Sequence, residues 1–285
     1  MDLSVVIPAH NVAATLGDQL DALAAESWDG EWEVVVVDNC SNDGTAALVR
    51  DHAARNTRLR LVSAAERKGP SYARNVGFEA AAAEMIAACD ADDVIAPGWV
   101  RAMGDALRVH PCVTGPLEVD RLNPTWLATT RGRPSLIEGP TWFGVFPIVA
   151  AGNLGIRRDV WRAAGGFDEA FSAQEDHEFA LRLRVRDVPI YFEPAALVHY
   201  RYRGSTRALW DQGRVYGESR PLLWRRVQRA GLEPPSRVAG WRSWLWLLVH
   251  LVDLRTEHGR AAWVWVAANR LGQLRGCIRY RTLFL

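Results

Sequence analysis

Three carboxylates fall within four positions at Asp90-Ala91-Asp92-Asp93, directly after the apolar run Glu84 to Cys89. Acids so close repel one another unless a cation or a set of donors compensates them. Their hard oxygens suit Mg²⁺ or Mn²⁺, which binds one or two carboxylates and completes its shell with phosphate oxygens and water. The plainer alternative is a solvated acidic turn capping the helix near Pro97. A second acidic pair, Glu175-Asp176, opens a helical stretch after a glycine-rich turn. A carboxylate there is a general base if it is held within reach of the proton it removes. Otherwise the pair simply complements the helix dipole. The adjacent His177-Glu178 does not extend to a zinc-binding His-Glu-x-x-His motif, because position 181 is leucine.

These acids need strands and helices to place them. The first hundred residues alternate β-branched runs with alanine-rich runs, the pattern of a parallel sheet covered by helices in a doubly wound α/β layout. Strands are expected at Val5–Ile7, Val34–Val37, Leu59–Val62 and Glu84–Cys89, and helices at Thr15–Ala25, Asn42–Arg55 and Ser71–Ala83. Asp38-Asn39 and Asp90 to Asp93 then lie at carboxyl ends of strands, where open α/β sheets bind ligands. Residues 119–148, with Pro124, Pro134, Pro140 and Pro147, read as an irregular loop. Order returns with Asn153–Ile156, a helix capped by Asp159, the turn Gly165-Gly166-Phe167-Asp168, a helix over Gln174–Val185, and a strand pair at Ile190–Phe192 and Leu197–His199. Helices are expected at Ser219–Arg229 and Arg237–Val252.

Composition excludes several chemistries. Lys68 is the only lysine and is followed by Gly69, so no phosphate-binding Gly-Lys-Ser/Thr loop exists, and Schiff-base chemistry would have to use Lys68. No Gly-x-Gly-x-x-Gly follows a strand, which disfavours dinucleotide binding. The four cysteines form no Cys-x-x-Cys pair, which argues against a zinc ribbon or disulfide framework. The chain opens on Ser4-Val5-Val6-Ile7 without a basic leader, and its longest apolar run, Trp244 to Val252, falls far short of the ~20 residues of a membrane span, so a cytoplasmic location is expected. The formal charge of +1 hides a split: residues 1–200 carry 18 basic and 28 acidic side chains, residues 201–285 carry 16 and 5.

The run Ser4-Val-Val-Ile-Pro-Ala-His-Asn11, then Val34-Val-Val-Val-Asp-Asn-Cys-Ser-Asn-Asp-Gly-Thr45, Gly69-Pro-Ser-Tyr-Ala-Arg-Asn75, Asp90-Ala-Asp-Asp93, Gly165-Gly-Phe-Asp168 and Glu175-Asp176 followed by Leu181-Arg182 resembles family 2 glycosyltransferases of the Rossmann-like GT-A fold. Six ordered motifs over residues 1–200 carry the likeness. It implies a glycosyltransferase domain over 1–200 and a basic, Trp/Arg-rich helical extension over 201–285. It also implies inverting transfer from a nucleotide diphosphate sugar, UDP-type favoured, to a hydroxyl acceptor in cell-envelope or glycoconjugate biosynthesis. Pro8, His10, Asn11 and Asp38 are then expected around the base and ribose, with His10 where tyrosine is commoner. Lys68 and Arg74 would face the donor's charge. Asp92, with Asp90 or Asp93, would hold Mn²⁺ or Mg²⁺, Asp90 alternatively reading the ribose, and His199 stands where some relatives place a third ligand. Asp176 would act as base, with Glu175 positioning it or binding acceptor hydroxyls. Asp43 is expected to cap the helix through Thr45.

Two readings of the extension stay open. Helices with Leu245, Leu248 and Val252 at i, i+3 and i+7 pack on the catalytic part or on a second subunit, giving a homodimer. Alternatively, arginine beside tryptophan suits anionic headgroups and a lipid-linked acceptor. Nucleic acid is disfavoured, since no known module is present. A non-catalytic nucleotide-sugar-binding scaffold with a docking tail is the rival from another class.

Overall fold

The computed structural model describes residues 1–233 and 240–284. The N-terminal half runs β1 (Leu3–Ala9), α1 (Leu16–Ala24), β2 (Trp32–Asp38), α2 (Thr45–Ala53), β3 (Leu59–Ser63), α3 (Pro70–Ala80), β4 (Met85–Cys89), β5 (Val94–Ile95) and α4 (Trp99–Val109). There follow β6 (Cys112–Thr114), β7 (Leu117–Glu118), α5 (Thr125–Arg131), β8 (Thr141–Trp142), β9 (Phe146–Pro147), β10 (Asn153–Arg157), α6 (Arg158–Ala164), α7 (Glu175–Val185), β11 (Ile190–Phe192) and β12 (Val198–His199). The chain ends with α8 (Thr206–Arg229), α9 (Trp241–Val249), a 3₁₀ turn (His250–Arg255) and α10 (Glu257–Tyr280).

The main sheet has the order β11-β6-β10-β4-β1-β2-β3. It is mostly parallel, but β10 runs antiparallel to both β4 and β6. Side chains alternate across it as a two-residue period requires. Val6, Val35 and Val37 face a core with Phe78, Trp161, Phe179 and Leu223, while Val5, Ile7, Val34 and Val36 face Leu16, Leu20, Trp99 and Met103. Burial on both faces is the reason these strands read as unbroken apolar runs.

Several expectations need correction. The 119–148 segment contains a helix, α5, and the β8–β9 hairpin. The strands at 190 and 198 do not pair with each other: β11 closes the main sheet beside β6, while β12 lies between β5 and β7 in a small sheet. The α6 helix starts at Arg158 directly after β10, so Arg157 is its N-cap and Asp159 lies in the first turn. Asp43 does hold the start of α2, accepting from Thr45 N–H at 3.1 Å and Thr45 Oγ1 at 2.6 Å.

The C-terminal helices are built around α8 and α10, which run parallel. Gly213 and Gly217 of α8 pass so close to α10 that a Cβ at 217 would run into the Asn269 backbone, and one at Gly272 or Gly276 would meet the backbone of Arg214 or Glu218. Only glycine permits that approach. On its other flank α8 sends Leu222, Leu223, Trp224 and Val227 into the core under the main sheet. Leu245, Leu248 and Val252 do not pack on the catalytic part; all three are exposed. Residues 237–239 of the helix expected at 237–252 lie outside the described residues. Among the described residues no helix is long and apolar enough to cross a membrane.

Candidate active site

A cleft of about 1030 Å³ opens at the carboxyl ends of β1, β2 and β4, and α7 and α8 close its far side. Of the residues expected to act on a donor or acceptor, Pro8, His10, Lys68, Arg74, Asp90, Asp92, Glu175 and Asp176 line it. Asn11, Asp38, Asp93 and His199 are not part of its wall. Asn11 takes a left-handed backbone (φ 52°) and accepts Asn42 N–H at 2.8 Å, which shapes the loop beside the cleft. Asp38 accepts Ser41 N–H at 3.2 Å. The neighbouring Asn39 reaches the wall instead: its Nδ2 donates to Ala64 O and Arg67 O at 2.6 and 2.7 Å, and its Oδ1 accepts Gly69 N–H at 2.8 Å. It thereby fastens the Lys68-Gly69 segment to the end of β2. His10 Nδ1 is 2.6 Å from Asn39 O.

Arg74 and Asn75, adjacent on α3, join motifs that lie far apart in sequence. Asn75 Nδ2 donates to Phe167 O at 2.9 Å and its Oδ1 accepts Phe167 N–H at 2.8 Å, clamping the Gly165-Gly166 turn. Arg74 is 5% exposed. Its Nη1 donates to Glu175 Oε1 at 2.6 Å and its Nη2 to Asp90 Oδ1 at 2.8 Å. Burial works against its charge, but Asp90, Glu175 and Asp176 outweigh this and hold the guanidinium firmly protonated. One cation is thus shared among three carboxylates. Glu175 has the least share of water, and burial pushes it up to about 7, with Arg74 opposing and Asp176 adding to the rise. Gly152 lies against Asp90, where any Cβ would strike the carboxylate.

Asp92 pairs with Arg203 Nη2 at 3.3 Å, and Arg201 Nε donates to Asp92 O at 2.8 Å. Burial first, then Asp90, raises the Asp92 carboxyl, while Arg203 opposes. Asp93 is turned inward, 1% exposed, with Oδ1 accepting Arg201 N–H at 2.7 Å and Oδ2 unpartnered. Burial, Asp90 and Asp92 push it well above the usual carboxylate range. His199 lies across from Val94 in the small sheet, its Nδ1 2.7 Å from Glu118 Oε2. Asp90 and Asp92 therefore give a hard-oxygen pair on the cleft wall, each carboxylate paired with one arginine, Arg74 and Arg203. That donor set fits a divalent ion completed by diphosphate oxygens and water. It does not form a cage by itself: among the described residues no cluster of three or more His, Cys, Asp or Glu side chains is arranged to hold a metal.

Asp176 Oδ2 accepts Ala151 N–H at 3.4 Å and its Oδ1 accepts His177 N–H at 2.8 Å, with the His177 ring Nε2 4.0 Å from Oδ1, so its carboxylate is oriented mainly by backbone donors. Sequence reasoning missed Arg201 and Arg203, because a boundary drawn at residue 200 separated them from the acids they meet. It also missed the α8 face, where Ala208, Asp211, Gln212, Val215 and Tyr216 line the cleft at i, i+3, i+4, i+7 and i+8. That period was the available signal. Gln174 and Gln212, both on the wall, each bury an Oε1 without a protein partner.

The sequence profile described as "Glycosyl transferase family 2" matches residues 4–164. The chain belongs to this family. The chain is 39% identical over 102 residues to the succinoglycan biosynthesis protein ExoO of Rhizobium meliloti (strain 1021), a match covering 36% of the chain and 28% of that relative. It is 31% identical over 91 residues to the putative teichuronic acid biosynthesis glycosyltransferase TuaG of Bacillus subtilis (strain 168), covering 32% and 36%. These matches therefore span about a third of the chain and of each relative. Among solved structures, the mannosyltransferase PcManGT from Pyrobaculum calidifontis, in complex with GDP-Man and Mn²⁺, has a TM-score of 0.65 at 18% identity, covering 95% of this chain and 86% of that one. S. aureus TarS 1-349 in complex with UDP has a TM-score of 0.56 at 18% identity, covering 99% and 92%. The chain shares their GT-A fold, from the N-terminal sheet through the C-terminal helices.

Proposed function

We propose that this transferase moves a sugar, with inversion, from a UDP-type nucleotide sugar to a hydroxyl acceptor, with Asp176 as general base and Asp92 and Asp90 as holders of a divalent cation. The observation that carries the reading is the sharing of one cleft by Asp176 and the Asp90–Asp92 pair, joined through the two hydrogen bonds of Arg74 to Glu175 and Asp90. When bound, Mn²⁺ or Mg²⁺ offsets the charge that grows on the departing diphosphate.

The chain's own residues do the rest. His10, Asn39 and Lys68 line the part of the cleft at the ends of β1 and β2, where base, ribose and phosphates are received, and Asp38, which ends β2 next to the wall residue Asn39, is the reader of uridine that the family resemblance implies. Arg203, paired with Asp92 at 3.3 Å on an exposed side chain, can turn to the diphosphate. At the α7 end the unpartnered Oε1 atoms of Gln174 and Gln212 are acceptors for acceptor-sugar hydroxyls. Asp176 takes the proton of the attacking hydroxyl as the new bond forms and the bond to the diphosphate breaks. Glu175, tied to Arg74, fixes the start of α7 and so the direction of Asp176. ExoO and TuaG are named for succinoglycan and teichuronic acid biosynthesis, which supports a saccharide acceptor.

Asp176→Asn tests the mechanism: turnover is expected to fall roughly 10²–10⁴-fold while donor binding, read by thermal shift, is retained. Unchanged turnover would remove Asp176 from the base role, and a product with the donor's anomeric configuration by NMR would remove inversion.

A further inference from the structure

The transfer reading makes no use of α9 and the 3₁₀ turn, which present a bare apolar face. Trp241, Leu245, Leu248 and Val249 fall at i, i+4, i+7 and i+8, one stripe of a helical surface, and Leu251 and Val252 extend it; all six are 50 to 68% exposed. The segment is tethered through Leu247, the one buried side chain of α9, whose carbonyl accepts Trp263 Nε1–H from α10 at 2.9 Å. The stripe is thus held outward by a fixed anchor. Contiguous exposed apolar surface of this kind marks an interaction site.

Charge identifies the occupant. From Trp241 to Arg260 three exposed arginines, Arg242, Arg255 and Arg260, outnumber the acids Asp253 and Glu257, and residues 201–285 as a whole carry 16 basic against 5 acidic side chains. We propose that α9 and the 3₁₀ turn dock in the plane of an anionic phospholipid bilayer, the apolar stripe entering the headgroup–acyl boundary and Arg242 and Arg255 meeting lipid phosphates. Tryptophan at position 241 suits that boundary, and a helix this short lies on a bilayer rather than crossing it. A second copy fits less well, because a two-fold pairing through the same stripe would bring together two segments that are each net positive, Asp253 and Glu257 being outnumbered by the arginines around them. Docking does not depend on the transfer reading. Its consequence for that reading is that α8, which lines the cleft and packs along α10, is held at a fixed position relative to the membrane.

The test is cosedimentation of the full chain with vesicles of phosphatidylcholine alone and of phosphatidylcholine mixed with phosphatidylglycerol. Binding is expected to the mixed vesicles, weakened by salt. It should fall about tenfold per residue in Leu245→Ser and Leu248→Ser, and about fivefold per residue in Arg242→Gln and Arg255→Gln. A thermal transition and nucleotide response like those of the unaltered chain show that each variant is folded, and Leu248→Ser alone serves if Leu245→Ser does not fold. The proposal is overturned if the chain stays in the supernatant with every vesicle, or if both leucine variants bind as the unaltered chain does. Vesicle-free dimerisation abolished by the same substitutions, without vesicle binding, would assign the stripe to a second copy instead.

Discussion

Replacing Arg74 with methionine keeps an unbranched stem up to the position of the guanidinium and removes the cation between Asp90 and Glu175. Both hydrogen bonds, at 2.8 and 2.6 Å, are lost, and Glu175, 7% exposed, is left buried beside Asp176 without its partner. Breaking a buried ion pair by removing one member costs about 3–5 kcal/mol, which for a chain of this size is a fall in Tm of roughly 6–20 °C. The sign with pH follows from Glu175, whose folded value of about 7 already lies above its ordinary value of 4.5 because burial outweighs Arg74. Without Arg74 that value rises further, so the deficit of Arg74→Met grows as pH rises above about 7 and levels off below it, where the Glu175 carboxyl is protonated in both folded proteins. Glu175→Gln removes the stranded charge, and the double variant should recover about 1–3 kcal/mol relative to additivity. Urea unfolding of the four proteins at pH 5, 6, 7 and 8 supplies the double-mutant cycle. A deficit independent of pH together with additive single effects would refute the view of Arg74 as the shared counter-charge of the site.

Glu175→Gln alone should make the protein more stable than the unaltered chain as pH rises from 4.5 through 7, by up to about 3 kcal/mol; thermal melts showing parallel pH profiles would contradict this. Gly152→Ala places a Cβ against the Asp90 carboxylate and should shrink the Mn²⁺-dependent nucleotide shift while leaving the metal-free Tm within about 1–2 °C, since the clash lies at the cleft wall. Asn153→Ala leaves Trp99 Nε1–H, Pro116 O and Ala196 O without their buried partner and should cost about 3 kcal/mol or more by chemical denaturation; a loss under 1 kcal/mol would show that water replaces the amide.

The strands of the first ninety residues were legible because burial on both faces forces unbroken apolar runs, as at Val5–Ile7 and Val34–Val37. The carboxylates at their ends were legible for the same reason, since strand ends point at the cleft. Helix α10 gave no such signal: the face it turns to α8 is made of Ala261, Ala268, Asn269, Gly272, Gln273 and Gly276, small or polar residues that leave no leucine stripe. Gly213 and Gly217 likewise hid the first half of α8, which begins at Thr206 rather than Ser219. The role of Arg74 was not legible at all. A guanidinium on a helix start looks like a donor-binding cation until the fold brings Glu175, 101 positions away, within 2.6 Å.

The most direct test of the central claim is a thermal-shift panel of UDP, GDP, CDP and TDP with and without Mn²⁺, run on the unaltered chain and on Asp92→Asn. A shift with UDP that requires Mn²⁺ and disappears in Asp92→Asn is the expected result. A shift with no nucleotide, or one that is independent of Mn²⁺ and survives Asp92→Asn, would contradict it.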